Sequence, residues 1–201
     1  KRMFGFSSKI LITNIISQVS QNILTVIFGR IFPVKTVGNF TQGWKWNNMA
    51  SGFISGMLAQ VAQPVFASVQ SEDDRQLHIL RKMTRFTAFL GFPTMFGLAI
   101  IAPEFIVLLI SDKWIDSIPI LQILCISGAF IPVYLPMQQL IVSQGRSDIF
   151  MWVNIAQIII QIGVILIFAQ QGIIAMVTSY SAFIALWTIA WQFFTKKIIN
   201  Y

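Results

Sequence analysis

Residues 71–85, SEDDRQLHILRKMTR, hold the one concentration of charge in the chain: three acids (Glu72, Asp73, Asp74), four bases (Arg75, Arg81, Lys82, Arg85) and the single histidine, His78. On either side lie long apolar runs. Uncharged sequence covers residues 10–29, 46–71, 86–103, 117–145 and 149–195, lengths of 20, 26, 18, 29 and 47. A helix needs about 20 predominantly apolar residues to cross a bilayer core. The first four runs therefore supply one crossing each, and the last, divided at Gln170-Gln171-Gly172, supplies two. Backbone groups in lipid must pair within their own helix or within a closed barrel. Barrel strands would be about half as long and would alternate in polarity, which these runs do not. The charged stretch then reads as a helix–loop–helix join in water, with Arg81, Lys82 and Arg85 at the headgroups.

Working outward, the expected architecture is all-α: a polytopic membrane protein whose helices run about 8–29, 44–70, 84–102, 117–143, 149–169 and 173–195. Pro103 with Glu104 beside it is a helix-start signal, so residues 103–111 are expected to form a short interfacial helix. A loop carrying Asp112, Lys113, Trp114 and Asp116 follows, with Trp114 as an aromatic belt residue. Pro93, Pro132 and Pro136 fall inside helices and should kink them, the freed carbonyls being taken up by neighbours.

Composition agrees with a membrane class. The 201 residues are 56% hydrophobic and 10% charged, with a mean hydropathy of +0.73, against about 25% charged in soluble domains. The net charge of +7 is scattered between apolar runs and does not form one face, so it reads as topology charge and not as a nucleic-acid surface. With the N-terminus inside, ten bases (Lys1, Arg2, Lys9, Arg75, Arg81, Lys82, Arg85, Arg146, Lys196, Lys197) lie on the cytoplasmic side. Four (Arg30, Lys35, Lys45, Lys113) lie opposite, and both termini are predicted cytoplasmic. The chain opens KRMFGFSS, without an initiator methionine or a signal-peptide pattern, as a piece of a longer protein would. Cys125 sits alone in an apolar run.

Chemistry-bearing residues are sparse. There is no metal-ligand cluster, nucleophile elbow or phosphate loop, and no catalytic residue, cofactor or metal is expected. The first helix carries Asn14, Gln18, Gln21 and Thr25 at spacings of four, three and four, one helical face, with Ser17 and Asn22 beside it. Amides are costly in lipid, so this face meets either neighbouring helices or a water-filled cavity. A thinner stripe, Asn154, Gln157 and Gln161, marks the fifth helix, where packing is the preferred role. Lys45 stands between Trp44 and Trp46, with Asn47 and Asn48 following. A lysine so placed is first a snorkelling anchor, and Lys45 or Arg30 at a cavity mouth could also hold a phosphate. The substrate-path candidates are Asn14, Gln18, Gln21, Asn22, Thr25, Arg30, Lys45 and Asn48.

These residues together resemble a known family. Pro64-Val65-Phe66 ends one helix, a charged linker follows, and Phe92-Pro93 lies in the next helix. After these come Asp112-Lys113-Trp114, Pro119, Leu121-Gln122-Ile123-Leu124 and the turn Gln144-Gly145-Arg146-Ser147-Asp148. The opening Phe4-Gly5-Phe6-Ser7 and the turn Val37-Gly38-Asn39-Phe40-Thr41 also match. The pattern is similar to polysaccharide flippases of the multidrug/oligosaccharidyl-lipid/polysaccharide exporter superfamily, in its lipopolysaccharide biosynthesis branch. That resemblance implies one six-helix lobe of a two-lobe transporter of about twelve to fourteen helices, the N-terminal lobe being absent from this sequence. It further implies flipping of a polyprenyl-pyrophosphate-linked oligosaccharide across the inner membrane, with that substrate, membrane lipid and the other lobe as partners. The first two helices would face the cavity. Three alternatives are a cation-coupled multidrug exporter, disfavoured by the acid-free first helix, a membrane enzyme of glycan assembly, and a non-transporting scaffold subunit.

Overall fold

The computed structural model of the chain describes residue 11, residues 28–69 and residues 72–198. Among them no strand occurs. A helical turn at 28–31 leads to Pro33, and five helices follow: α1 (Val34–Ser68), α2 (Asp73–Leu109), α3 (Ile118–Ser143), α4 (Ser147–Ala169) and α5 (Ile173–Ile198). A 3-10 segment, Asp112–Ser117, joins α2 to α3. The chain runs up and down, and α3 is the central helix, packed on α1, α2 and α5, while α4 leans mainly on α5. The position of α3 follows from its sequence: it has no charge and sixteen buried residues, among them Leu121, Leu124, Cys125, Gly128, Ala129 and Leu140.

Four described helices are long and apolar enough to cross a membrane: Asp74–Leu109, Asp112–Ser143, Ser147–Ala169 and Ile173–Thr195. The 35-residue α1 has the length, but Lys35, Lys45, Gln60, Gln63 and its serines and glycines dilute its apolar character. The first expected crossing lies largely outside the described residues. The last apolar run divides where Gln170-Gln171-Gly172 suggests, with Gly172 at φ +109° closing the turn, and Gly145 at φ +75° turns α3 into α4.

The structure corrects three boundaries. The second helix begins at Val34, ten residues before the expected start at 44, because Pro33 is pre-set for the flank of a helix and nothing between it and Trp44 breaks one. The linker is mostly helix: α2 starts at Asp73, and Arg75, Arg81, Lys82 and Arg85 all lie on it. Nor does Pro103 open a separate interfacial helix over 103–111, for α2 passes through Pro93 and Pro103 to Leu109. Proline at 103 removes the donor for the Ala99 carbonyl four residues back. The side chain of Gln122 on α3 replaces it, donating Nε2–H to Ala99 O at 3.0 Å.

The two ends of the bundle are pinned differently. At one end the exposed pair Lys35 Nζ–Asp116 Oδ2, 2.7 Å apart, ties the start of α1 to the 3-10 segment, and Trp114 lies against Gly38. A Cβ on Gly43 would meet Ile120 Cγ2 at 3.1 Å and the Leu121 nitrogen at 3.2 Å, so α1 and α3 approach backbone to backbone there. At the other end Gln144 Nε2 donates to Gln76 Oε1 at 3.1 Å, joining the α3–α4 turn to the start of α2.

Candidate functional site

A polar cavity of about 380 Å³ is lined by α1, α3, α4, α5 and Phe28. Its amides come mostly from α4. Asn154, Gln157 and Gln161 are spaced three and four apart and so share one helical face, and all three line the cavity. On α3, Tyr134 and Gln138 are one turn apart and face the same space; α1 contributes Phe40, Thr41, Trp44 and Asn48, and α5 contributes Met176, Val177, Tyr180 and Ile184.

The cavity has an aromatic wall and an amide wall. Phe28 meets Phe40 edge-on at 5.0 Å, Phe40 stacks on Trp44 at 5.7 Å, and Trp44 tilts against Tyr180 at 5.5 Å between ring centroids. Opposite, Gln138 Nε2 donates to Asn154 Oδ1 at 3.4 Å, and Asn154 Nδ2 donates to the Phe150 carbonyl at 2.7 Å. Gln157 is buried, and its Oε1 accepts no hydrogen bond from any described residue. A buried amide oxygen without a donor costs about 1–3 kcal/mol, so this position favours a hydroxyl-bearing guest or water. No acidic, basic or histidine side chain is among the described lining residues. The site therefore offers neutral hydrogen bonding and ring stacking. Its volume falls within the range of small-molecule sites, about 300–1,000 Å³.

Of the expected path residues, Asn48 lines this cavity. Arg30 and Lys45 are exposed and do not line it; Lys45 Nζ lies 5.3 Å from the centroid of the Trp46 ring. Asn14, Gln18, Gln21, Asn22 and Thr25 lie outside the described residues. The α4 stripe, assigned to packing from sequence, does both jobs: Asn154 is bonded within the bundle, while Gln157 and Gln161 face the open volume. Tyr134 and Gln138 escaped the sequence reading although their spacing of four in an otherwise apolar run is a usable signal. Tyr180 has no polar companion on its own face of α5 and carried none.

Comparison with known proteins now has a geometry to attach to. The sequence model of a family described as polysaccharide biosynthesis protein matches residues 1–119. A membrane protein of unknown role from the cps region of Klebsiella pneumoniae is 27% identical over 165 residues, 82% of this chain and 34% of the relative. The teichuronic acid biosynthesis protein TuaB of Bacillus subtilis is 24% identical over 202 residues, covering all of this chain and 39% of its own length. The lipopolysaccharide biosynthesis protein WzxC of Escherichia coli is 24% identical over 167 residues, 83% of this chain and 34% of the relative. The chain thus spans between a third and two fifths of the length of these relatives. No solved structure matches it significantly. The family match ends at Pro119, before Tyr134, Gln138, the α4 amides and Tyr180, whereas the likeness to TuaB takes in the whole chain.

Proposed function

Because the chain belongs to the polysaccharide biosynthesis protein family, we propose that it is one lobe of a transporter that flips a polyprenyl-pyrophosphate-linked oligosaccharide across the cytoplasmic membrane. The carrying observation is the cavity: amides and phenols facing an aromatic wall, free of charge, inside an otherwise apolar helix bundle. Sugars present hydroxyls at their edges and C–H faces above and below the ring. Gln157, Gln161, Asn48 and Tyr134 can meet the former, and Trp44 with Tyr180 the latter. A neutral lining of amides, phenols and rings suits the passage of an uncharged sugar. A second six-helix lobe completes the path, as the short coverage of each relative suggests.

Orientation follows from charge. Arg75, Arg81, Lys82, Arg85 and Arg146 gather at the end of the α1–α2 and α3–α4 turns, against Arg30, Lys35, Lys45 and Lys113 toward the other, so the richer end faces the cytoplasm.

The test is polymer export in a strain whose surface polysaccharide depends on this protein. Replacing Gln157 and Gln161 together by Leu should leave insertion and protein level unchanged, since Leu is favourable at mid-membrane. Surface polymer should fall at least fivefold, with lipid-linked intermediate accumulating inside. Full export at normal protein level would remove the cavity from the path.

A further inference from the structure

The outward face of α2 is built differently from the rest of the bundle. His78, Arg81, Lys82 and Arg85 stand at i, i+3, i+4 and i+7, one side of the helix, and all four are exposed. Together they line a cleft of about 370 Å³. The same side continues upward at the same spacing through Phe89, Pro93 and Phe96, which are also exposed, Phe89 at 73%. The opposite side is buried: Gln76, Leu80, Thr87 and Met95 pack inward, and Gln76 is held by the Val69 carbonyl and by Gln144. A single helical face therefore changes from cationic to apolar between Arg85 and Phe86. From Arg85 to Phe96 is about 16 Å of helix, close to one leaflet of an apolar core about 30 Å thick.

We propose that this face is a discrete binding site for one anionic phospholipid. Its phosphate sits in the cleft of His78, Arg81, Lys82 and Arg85, and its acyl chains lie along Phe89, Pro93 and Phe96. Arginine pairs with phosphate through two parallel donors and lysine adds a point charge. A zwitterionic headgroup brings an ammonium into the same cationic cleft and is disfavoured. The occupant is a membrane lipid and not cargo in transit, because no described α2 residue lines the polar cavity, which lies on the far side of the bundle.

Native mass spectrometry of the purified protein, exchanged into micelles carrying equimolar phosphatidylglycerol and phosphatidylcholine, tests this. The wild type should retain one phosphatidylglycerol with at least tenfold preference. The fourfold variant H78Q/R81Q/K82Q/R85Q should drop to less than twofold, while K35Q/K113Q, which removes bases at the other end, should keep the preference. The milder R85Q covers the case in which the fourfold variant fails to fold, and should lower the preference about fivefold, the effect expected of one base beside an anionic surface. F89S/F96S should shorten retention with the preference intact. Equal retention of the two lipids, or a preference that survives both the fourfold variant and R85Q, would overturn the site. So would displacement of phosphatidylglycerol by an equal concentration of polyprenyl phosphate, since the cleft would then select the isoprenoid carrier.

Discussion

Gly128 stands where three helices meet. A Cβ there would run into the Asn47 side chain of α1 and the Met95 methyl of α2, so the absence of a side chain sets how closely α3 approaches both. Gly128→Ala should cost about 1–3 kcal/mol, the usual range for overpacking, and lower the unfolding midpoint in detergent. An unchanged midpoint would mean that the seam relaxes freely. Asn47 is itself fully buried, and neither atom of its amide has a hydrogen-bond partner among the described residues. Asn47→Ala removes that burden and also makes room for a Cβ at position 128. The double variant N47A/G128A should therefore lose less than the sum of the single losses, a shortfall measurable by the same melt. Adjacent in sequence, Asn48 lines the cavity while Asn47 is sealed in the seam. Of these two neighbouring amides, the rotation of α1 alone separates a site residue from a packing one.

At the scale of elements, Pro103 and Gln122 explain each other. Restoring a donor with Pro103→Ala lets the helix satisfy Ala99 O by itself. Gln122→Leu alone leaves that carbonyl unpaired and should destabilise by roughly 0.6–1.7 kcal/mol, the measured range for membrane hydrogen bonds. On the Pro103→Ala background the same change should cost little. A double-mutant cycle by chemical or thermal unfolding reads the coupling, and strict additivity would sink the account. The pair also shows where sequence reading stops. Proline after an apolar run is a sound helix-start signal, but the donor that lets α2 continue lies 23 residues from the carbonyl it serves. Local pattern does not carry such a contact. The same limit applied at Val34 and Asp73: uncharged runs mark what lies in lipid, whereas helices extend beyond lipid wherever no residue stops them.

For the whole molecule, charge spacing conveyed the class, the helical content and the division of the last run at Gly172, because lipid enforces length and internal hydrogen bonding on every crossing. The cavity was half legible. Amide spacing marked the α4 stripe, read there as packing, and Asn48 was a path candidate, but which stripes face one another depends on how four helices rotate around α3. Orientation is open to a direct check. On a Cys125→Ser background, which removes the single thiol, a cysteine at Asp74 should be protected from an impermeant maleimide in intact cells. A cysteine at Asp112 should be labelled, and the reverse pattern would invert the topology. The polar links also divide the bundle into stiff and compliant parts. α2 is riveted to α3 and its turn at two heights, through Gln122 to Ala99 and Gln144 to Gln76, and α5 is fastened by Ser181 to the Ile123 carbonyl. Between α3 and α4 the polar links are the long bond from Gln138 to Asn154 and the contact of Tyr134 with Gln157, and α4 departs from α3 through the glycine at 145. The helix with the loosest mooring is thus the one that carries the amide wall, so any bending of the bundle is felt first as a change in the width of its polar chamber.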